Sequence, residues 1–197
     1  MSVWRETPTL TGRHVTLRPL HHDDRAALLE AFADLEVFTT FVPNPVTIDA
    51  WLDQLEIDKA AGRALPFTVL NPDGVVSGVT RFMRMSERHR RVEIGGTVYA
   101  RRVQRTGLNT EAKSMLLAHA FEVLGVNCVQ LRTDFLNHAS RRAIERLGAR
   151  FDGVLRGHLI LGDHLRDSAV YSILAHEWPG VRRNLDQLMK RYGDEGA

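Results

Sequence analysis

The sequence predicts a mixed α/β fold in which helices flank a central mixed sheet of about seven strands. Apolar residues recur with a period of two in some segments and of 3.6 in others, which gives the element order β-α-α-β-β-β-α-β-α-β-β-α. Turns predicted at Asn71–Gly74 and Gly162–Asp163 make two strand pairs antiparallel hairpins and so disfavour a doubly wound parallel sheet. Because the chain has 197 residues, is 44% hydrophobic and has no linker-like segment, residues 1–197 are expected to form a single domain.

The chain is predicted to begin with one strand and two helices. The segment His14–Arg18 alternates between polar and apolar residues, as a half-buried strand does. His22–Asp24 then supplies an N-cap and early acidic residues, which are typical of a helix start. A loop is expected at Thr39–Val46, because this segment contains two prolines. Thr47 is placed to cap the second helix, which is expected to end at Gly62.

Six further strands and three further helices complete the predicted fold. The strands are predicted from alternating or continuous apolar segments at Pro66–Leu70, Val75–Met85, Val92–Tyr99, Val126–Asp134, Phe151–Leu161 and Leu165–Leu174. The helices, each with an apolar face, are predicted at Gly107–Leu124, Ala139–Leu147 and about 179–192. Gly148 ends the second of them as a left-handed C′ residue. The apolar face of the last helix either covers the sheet or contacts a second copy of the chain, and of these we favour a homodimer.

Composition and charge exclude several classes of protein. The 26 Lys and Arg residues against 24 Asp and Glu give a net charge of +2, which is too small for non-specific nucleic-acid binding. A single cysteine, Cys128, cannot form an internal disulfide. No stretch reaches 18 apolar residues, so we expect a cytoplasmic protein with no signal peptide and no membrane contact. His21–Asp24 groups candidate metal ligands, but no distant partner accompanies them, so no metal is predicted.

The most informative segment is Arg101–Ala112, which connects a predicted strand to an amphipathic helix. The first turn of a helix leaves about four backbone N–H groups without partners, and these groups, at the positive end of the helix dipole, suit a phosphate. Gly107 lacks a Cβ atom and would let the backbone approach an anion closely. A Walker loop is excluded because Gly-Lys-Ser/Thr is missing. The alternative interpretation is an ordinary helix start that Asn109 or Thr110 caps.

This loop resembles the pyrophosphate loop of the GNAT acetyltransferase superfamily. Gln104-x-x-Gly107-x-Asn109 follows the family pattern Gln/Arg-x-x-Gly-x-Gly/Ala, from which it departs at Asn109. Four further segments are similar to the RimJ/RimL-like branch and occur in its order: Asn109–Lys113, Asn137-x-x-Ser140, Leu147–Ala149 and Glu177–Trp178. The resemblance covers roughly residues 11–178, and the element order of that family agrees with the predicted one.

The resemblance implies an enzyme that moves an acetyl group from acetyl-CoA directly to a primary amine. The acceptor would be a protein N-terminus or a small amine, and no metal would be needed. Gln104 would line the mouth of the cofactor site, and Arg101, Arg102 or Arg105 would meet the ribose 3′-phosphate. The pyrophosphate would be held by the backbone N–H groups of Arg105, Gly107, Leu108, Asn109 and Thr110.

Two adjacent glycines interrupt the predicted strand Val92–Tyr99. Glycine is unfavourable inside a strand. Where it does occur there, the usual cause is a bulge or the close approach of another backbone. The resemblance implies that this stretch holds the pantetheine arm and polarises the thioester carbonyl. The residues concerned are Ile94, Gly95, Gly96 and Thr97. A purely structural bulge is the alternative.

Glu93, Asn137 and Ser140 complete the candidate site. Amine acetylation needs a neutral nitrogen, so Glu93 is predicted to remove the proton, directly or through water. Neutralising a lysine amine at pH 7 costs about 4.6 kcal/mol against about 1.4 kcal/mol for an α-amine, so a base matters most for lysine. Asn137 is a good N-cap for the next helix. The resemblance adds contact of Asn137 with pantetheine and makes Ser140 the acid that protonates the departing thiolate.

Two other classes of protein, a binding module and an RNA-binding protein, predict different experimental results. The structural alternative for Glu93 is a solvated residue at a strand edge. Separately, the chain could be a CoA- or phosphate-binding module without turnover, which predicts binding that is unaffected by loss of Glu93 or Ser140 and no amine-dependent release of thiol. An RNA-binding protein using Arg88–Arg91 would show a steep dependence on salt, which the small net charge argues against.

Overall fold

The computed structural model describes residues 2–35, 48–161 and 164–193 and contains a mixed sheet of eight strands. The mixed α/β prediction is therefore confirmed, with one strand more than expected. The predicted loop at Thr39–Val46, the cap at Thr47 and the turn at Gly162–Asp163 lie outside the described residues.

Eight strands and five α-helices are assigned within the described residues. The strands are β1 Leu10–Thr11, β2 Thr16–Pro19, β3 Ala64–Leu70, β4 Val76–Ser86, β5 Arg91–Tyr99, β6 Cys128–Asp134, β7 Arg150–Leu161 and β8 His164–Leu174. The helices are α1 Arg25–Phe32, α2 Ile48–Ala60, α3 Leu108–Ala118, α4 His138–Leu147 and α5 Trp178–Lys190. Helix α1 packs on β4 and α2 on β3, while α5 packs on α3 and α4.

The sheet opens between β5 and β6. The strand order is β1-β2-β3-β4-β5-β6-β8-β7, and every neighbouring pair is antiparallel except β5–β6. This parallel pair is joined through α3, as a parallel connection requires. Its pairing runs only from Arg91↔Cys128 to Glu93↔Gln130. Beyond Glu93 the two strands separate, which leaves one edge of β5 available in the middle of the sheet.

A β-bulge lies where the adjacent glycines interrupt β5. Val79 pairs with Val98 and Arg81 with Gly95, so three steps along β5 oppose two along β4. Gly96 has φ +55°, a left-handed conformation that glycine adopts without a steric cost. The bulge predicted from the glycine pair is thus confirmed, and it falls on the part of β5 that has lost its β6 partner.

The apolar face of α5 is buried within the chain. Trp178, Val181, Leu185 and Leu188 are all buried. The Trp178 ring stacks on Phe121 with centroids 5.4 Å apart, and its Nε1 donates to Glu122 Oε1 at 2.9 Å. This face therefore packs on helices of the same chain. The homodimer expected from it loses that support.

Three local features differ from the predicted elements. The two-residue strand β1 was not predicted, and the following strand begins at Thr16 rather than His14. The helix predicted to continue to Leu124 is α-helical to Ala118 and then π-helical over His119–Val123.

Within the described residues, no helix is both long and apolar enough to cross a bilayer.

Candidate active site

A cleft of about 820 Å³ lies between the separated strands β5 and β6. Its walls come from both strands, the loop before α3 and the first turns of α4. Most of the predicted site residues line it: Glu93, Ile94, Gly95, Gly96, Thr97, Gln104, Arg105, Asn109, Asn137 and Ser140. Gly107, Leu108 and Thr110 are buried behind the wall and do not line it. The topology thus brings the two predicted halves of the site to one cavity.

The loop before α3 presents backbone N–H groups at one end of the cleft. Among the described residues, no acceptor is found for the N–H groups of Arg105, Gly107 and Asn109. Leu108 N instead donates to the Thr106 hydroxyl at 3.3 Å. Arg105 has φ +62°, which turns the chain sharply into the helix. Free N–H groups at a helix N-terminus form a ready anion site, so this end of the cleft fits a phosphate.

The structure adds a second reason for a small residue at position 107. Its backbone, with φ −65° and ψ −17°, is ordinary right-handed helix that any residue adopts. A Cβ atom built on it would come within 3.1–3.2 Å of the Tyr192 ring. The small residue therefore accommodates a side chain from the end of the chain, which packs over the outside of the loop.

Of the three arginines considered for the 3′-phosphate, two have partners in the protein. Arg101 pairs with Asp34 at 3.3 Å and also donates to its carbonyl oxygen at 2.9 Å. Arg102 donates to Val76 O at 2.5 Å. Arg105 lines the cleft and forms no ion pair with another described residue. It is the arginine best placed to bind a ligand.

Lys113 is a cleft residue whose role the sequence did not suggest. Its Nζ donates to Thr97 Oγ1 at 2.6 Å and to Thr80 Oγ1 at 3.3 Å, with no carboxylate among its recorded partners. Burial lowers the pKa of this amine to about 7. The available signal was its position on the apolar face of α3, three and four residues before the buried Leu116 and Leu117.

Tyr99 also faces the cleft without having been predicted. Its hydroxyl is buried and has no hydrogen-bond partner among the described residues. Burial raises the pKa of this phenol above its usual range. Because a buried polar atom without a partner is costly, a bound ligand that pairs with this hydroxyl would be stabilised. The orphaned hydroxyl and the free loop N–H groups together fit a CoA-like molecule.

Glu93 lies at the end of the cleft opposite the loop before α3 and is only 3% exposed. Arg84 Nη1 donates to both of its oxygens, at 2.9 and 3.0 Å. Arg132 Nε lies 3.1 Å from Oε2. The alternative of a solvated residue at a strand edge is therefore wrong. Glu93 is a buried carboxylate held between two guanidinium groups.

The start of α4 forms the other wall. Asn137 Oδ1 accepts from Ser140 N at 3.0 Å, so the predicted N-cap is confirmed. The Ser140 hydroxyl lines the cleft and has no recorded partner among the described residues, which leaves it available to a ligand. No group of three or more His, Cys, Asp or Glu side chains in the described part of the chain could hold a metal ion.

Comparison with known proteins connects this cleft to one family. Residues 14–150 match the acetyltransferase (GNAT) domain model. The chain is 28% identical over 178 residues to "Putative ribosomal N-acetyltransferase YdaF" of Bacillus subtilis, which spans 87% of this chain and 97% of that protein.

Two solved structures have the same fold. A GCN5-related N-acetyltransferase from Brucella melitensis superposes with a TM-score of 0.83 at 28% identity, covering 92% of this chain and 85% of that one. RimJ of Mycobacterium smegmatis, in complex with CoA-disulfide, superposes with a TM-score of 0.80 at 23% identity, covering 93% and 96%. At that lower identity the second likeness concerns the fold.

Proposed function

The chain belongs to the GNAT acetyltransferase family, and from this premise we propose that it transfers an acetyl group from acetyl-CoA directly to a primary amine. The observation that carries the proposal is the cleft itself. Backbone N–H groups without acceptors among the described residues lie at the loop before α3, and the buried carboxylate of Glu93 and the hydroxyl of Ser140 also line the cleft. These features support binding of a phosphate. A molecule with a pyrophosphate and a long arm matches that layout.

The cofactor would lie along the exposed edge of β5. We assign the pyrophosphate to the free N–H groups around Gly107 and the 3′-phosphate to Arg105. The pantetheine arm would pair with Ile94–Thr97, whose backbone has lost its β6 partner, and contact Asn137. The splayed strands support this placement because an extended chain can add to an unpaired strand edge.

Acetyl-CoA supplies an acetyl thioester, whose carbonyl carbon forms a bond to the amine nitrogen as the C–S bond breaks. Glu93 accepts the proton of the amine, with a water relay because both of its oxygens already contact guanidinium groups. Backbone N–H groups near Gly95 stabilise the developing oxyanion. Ser140 gives a proton to the departing sulfur and recovers one from solvent.

The acceptor is proposed to be a protein N-terminus or a small amine. The name of the B. subtilis relative supports the first, since it refers to the ribosome. A CoA-binding module without turnover is the competing proposal, and it predicts binding of acetyl-CoA without any amine-dependent release of thiol.

The test is release of free thiol from acetyl-CoA with N-terminal peptides, lysine peptides and small amines, against a control without acceptor. Release that depends on one class of amine supports the proposal. Binding of acetyl-CoA without release from any of them contradicts catalysis.

Ser140→Ala should lower kcat about 10- to 100-fold with little change in KM for acetyl-CoA, because the hydroxyl acts on the leaving sulfur. Unchanged kcat would remove Ser140 from the mechanism.

A further inference from the structure

We propose that the acceptor carries an anionic group, of the carboxylate type, close to its amine, and that Arg84 and the arginines beside it recognise that group. This inference rests on the proposed function and narrows its substrate class. A free amino acid and a peptide with an acidic residue near its N-terminus share this chemistry.

The charged side chains that line the cleft are strongly unbalanced. The cations are Arg81, Arg84, Arg105, Lys113, Arg132 and Arg166, and the only acidic residue among the lining side chains described is Glu93. Arg105 and Lys113 belong to the cofactor end. The other four arginines gather around Glu93, at the end where the amine must arrive.

Protein carboxylates offset part of this charge. Arg81 pairs with Asp58 at 3.0 Å, and Arg166 Nε lies 3.9 Å from Asp134 Oδ2. Arg84 and Arg132, however, share the single carboxylate of Glu93. Glu93, Arg84 and Arg132 together therefore carry a net positive charge. Most solvent is excluded from Glu93 at this position.

Arg84 is arranged to bind a further anion. Only its Nη1 is used by Glu93, and no acceptor for its Nε or Nη2 is recorded among the described residues. The side chain is 40% exposed, and one edge of a guanidinium group can bind a carboxylate through two parallel hydrogen bonds. Arg84 lies where the β4–β5 register shifts and has φ +47°, a conformation that non-glycine residues rarely adopt. Strain of this kind is concentrated at functional sites.

His158 on β7 also lines the cleft. Its Nδ1 lies 2.9 Å from Ser168 Oγ. Burial lowers the pKa of this imidazole, and the charges of Arg84, Arg132 and Arg166 lower it further, while Glu93 alone opposes them. A purely cationic acceptor would meet the same repulsion. An anionic group beside the amine would offset that repulsion.

The test compares acceptors that differ in the charge beside the amine, at saturating acetyl-CoA. Rates are expressed per neutral amine, because a free carboxylate also raises the pKa of its α-amine. One series pairs free amino acids with their α-carboxamides, and a second uses amidated tetrapeptides with Asp, Asn or Lys at the second position. The anionic member is expected to exceed its neutral partner about tenfold or more in kcat/KM, because a hydrogen bond to a charged group is a strong one. The lysine peptide should be the poorest substrate. A preference in the first series identifies the carboxylate of a free amino acid as the recognised group. A preference in the second identifies an acidic side chain near a peptide N-terminus. Equal or higher rates with neutral or cationic acceptors in both series overturn the inference.

A variant and its control test whether Arg84 causes the preference for an anionic acceptor. Arg84→Gln should reduce the anionic-to-neutral ratio toward one, while Arg182→Gln, an exposed partner of Glu122 on α5, should keep the wild-type ratio. A ratio that survives Arg84→Gln contradicts recognition by Arg84. If the variant does not fold, salt provides the second measurement on the wild type: raising ionic strength should lower kcat/KM for the anionic acceptor more than for the neutral one. Parallel salt dependences contradict the inference.

Failure of the proposed function has a separate signature, since no acceptor would then release thiol. In that case the affinities of N-acetyl amino acids and of their amides for the CoA-bound protein, measured by calorimetry, test the charge preference without turnover. Tighter binding of the acids upholds the anionic site, and equal binding overturns it.

Discussion

Replacing Lys113 with methionine should stabilise the folded protein at neutral and acidic pH. Methionine keeps most of the length of the side chain and removes the ammonium group. Lys113 is 7% exposed, and its Nζ has only hydroxyl partners among the described residues. The two threonines do not lose all their partners, because Thr80 Oγ1 and Thr97 Oγ1 lie 2.8 Å from each other. The substitution therefore removes a buried charge at little cost in hydrogen bonds.

The size of the effect follows from the pKa. Burial moves the pKa of Lys113 from 10.5 to about 7, and one pH unit corresponds to 1.36 kcal/mol, so the buried ammonium costs up to about 5 kcal/mol below pH 7. Between pH 7 and 10.5 the unfolded chain still holds the proton that the folded chain has released. The free energy of unfolding of the wild type therefore rises with pH through this window, by about 2 kcal/mol between pH 7 and 9.

The assay is urea unfolding of both proteins, without CoA, at several pH values from 6 to 9. The variant should be the more stable at pH 6, and its advantage should shrink by about 3 kcal/mol by pH 9. Lys190→Met, at an exposed lysine of α5, controls for the substitution itself. Parallel stability curves for the Lys113→Met variant and the wild type would contradict this prediction. They would mean that Lys113 is still protonated at pH 9 in the folded protein, so that its pKa is not lowered.

Three further substitutions test the cofactor half of the cleft. Gly96→Ala should cost about 1–3 kcal/mol and lower the melting temperature, because φ is +55° there; an unchanged melting temperature would mean that the bulge relaxes. Arg105→Gln should raise KM for acetyl-CoA severalfold but not for its analogue without the 3′-phosphate, and an equal rise for both would assign Arg105 elsewhere. Gly107→Ala should weaken acetyl-CoA binding by displacing the Tyr192 ring, and Tyr192→Ala in the same chain should restore it. Without that restoration, the anion rather than the ring explains the glycine.

Local features were predictable because each depends on a few neighbouring residues. The turn at Asn71–Gly74 is closed by Asn71 N donating to Val75 O at 3.0 Å, as the turn residues indicated. The bulge at Gly96 and the helix end at Gly148, with φ +105°, follow from backbone conformations that glycine adopts most easily. The positions of Asn137 and Ser140 on a capped helix follow in the same way.

Features that depend on pairing between distant segments were not predictable. Strand β1 has only two residues and exists because Leu10 and Thr11 pair with β2. Lys113 looked like an ordinary helix residue, since nothing in its own helix shows that β4 and β5 close over its amine. The contact of Gly107 with the Tyr192 ring was not predictable either, because that ring comes from a segment distant in sequence.

Periodicity, turns and caps act over a few residues, so the kind and order of the elements and the family resemblance could be read from the sequence alone. The surroundings of Glu93 could not, because they depend on how distant strands pair. Glu93 on β5 lies beside Arg84 from β4 and Arg132 from β6, and these contacts turn a strand residue into a buried carboxylate under positive potential. Electrostatic energy depends on the distance between charges and on their exclusion from water, and both are properties of the folded sheet.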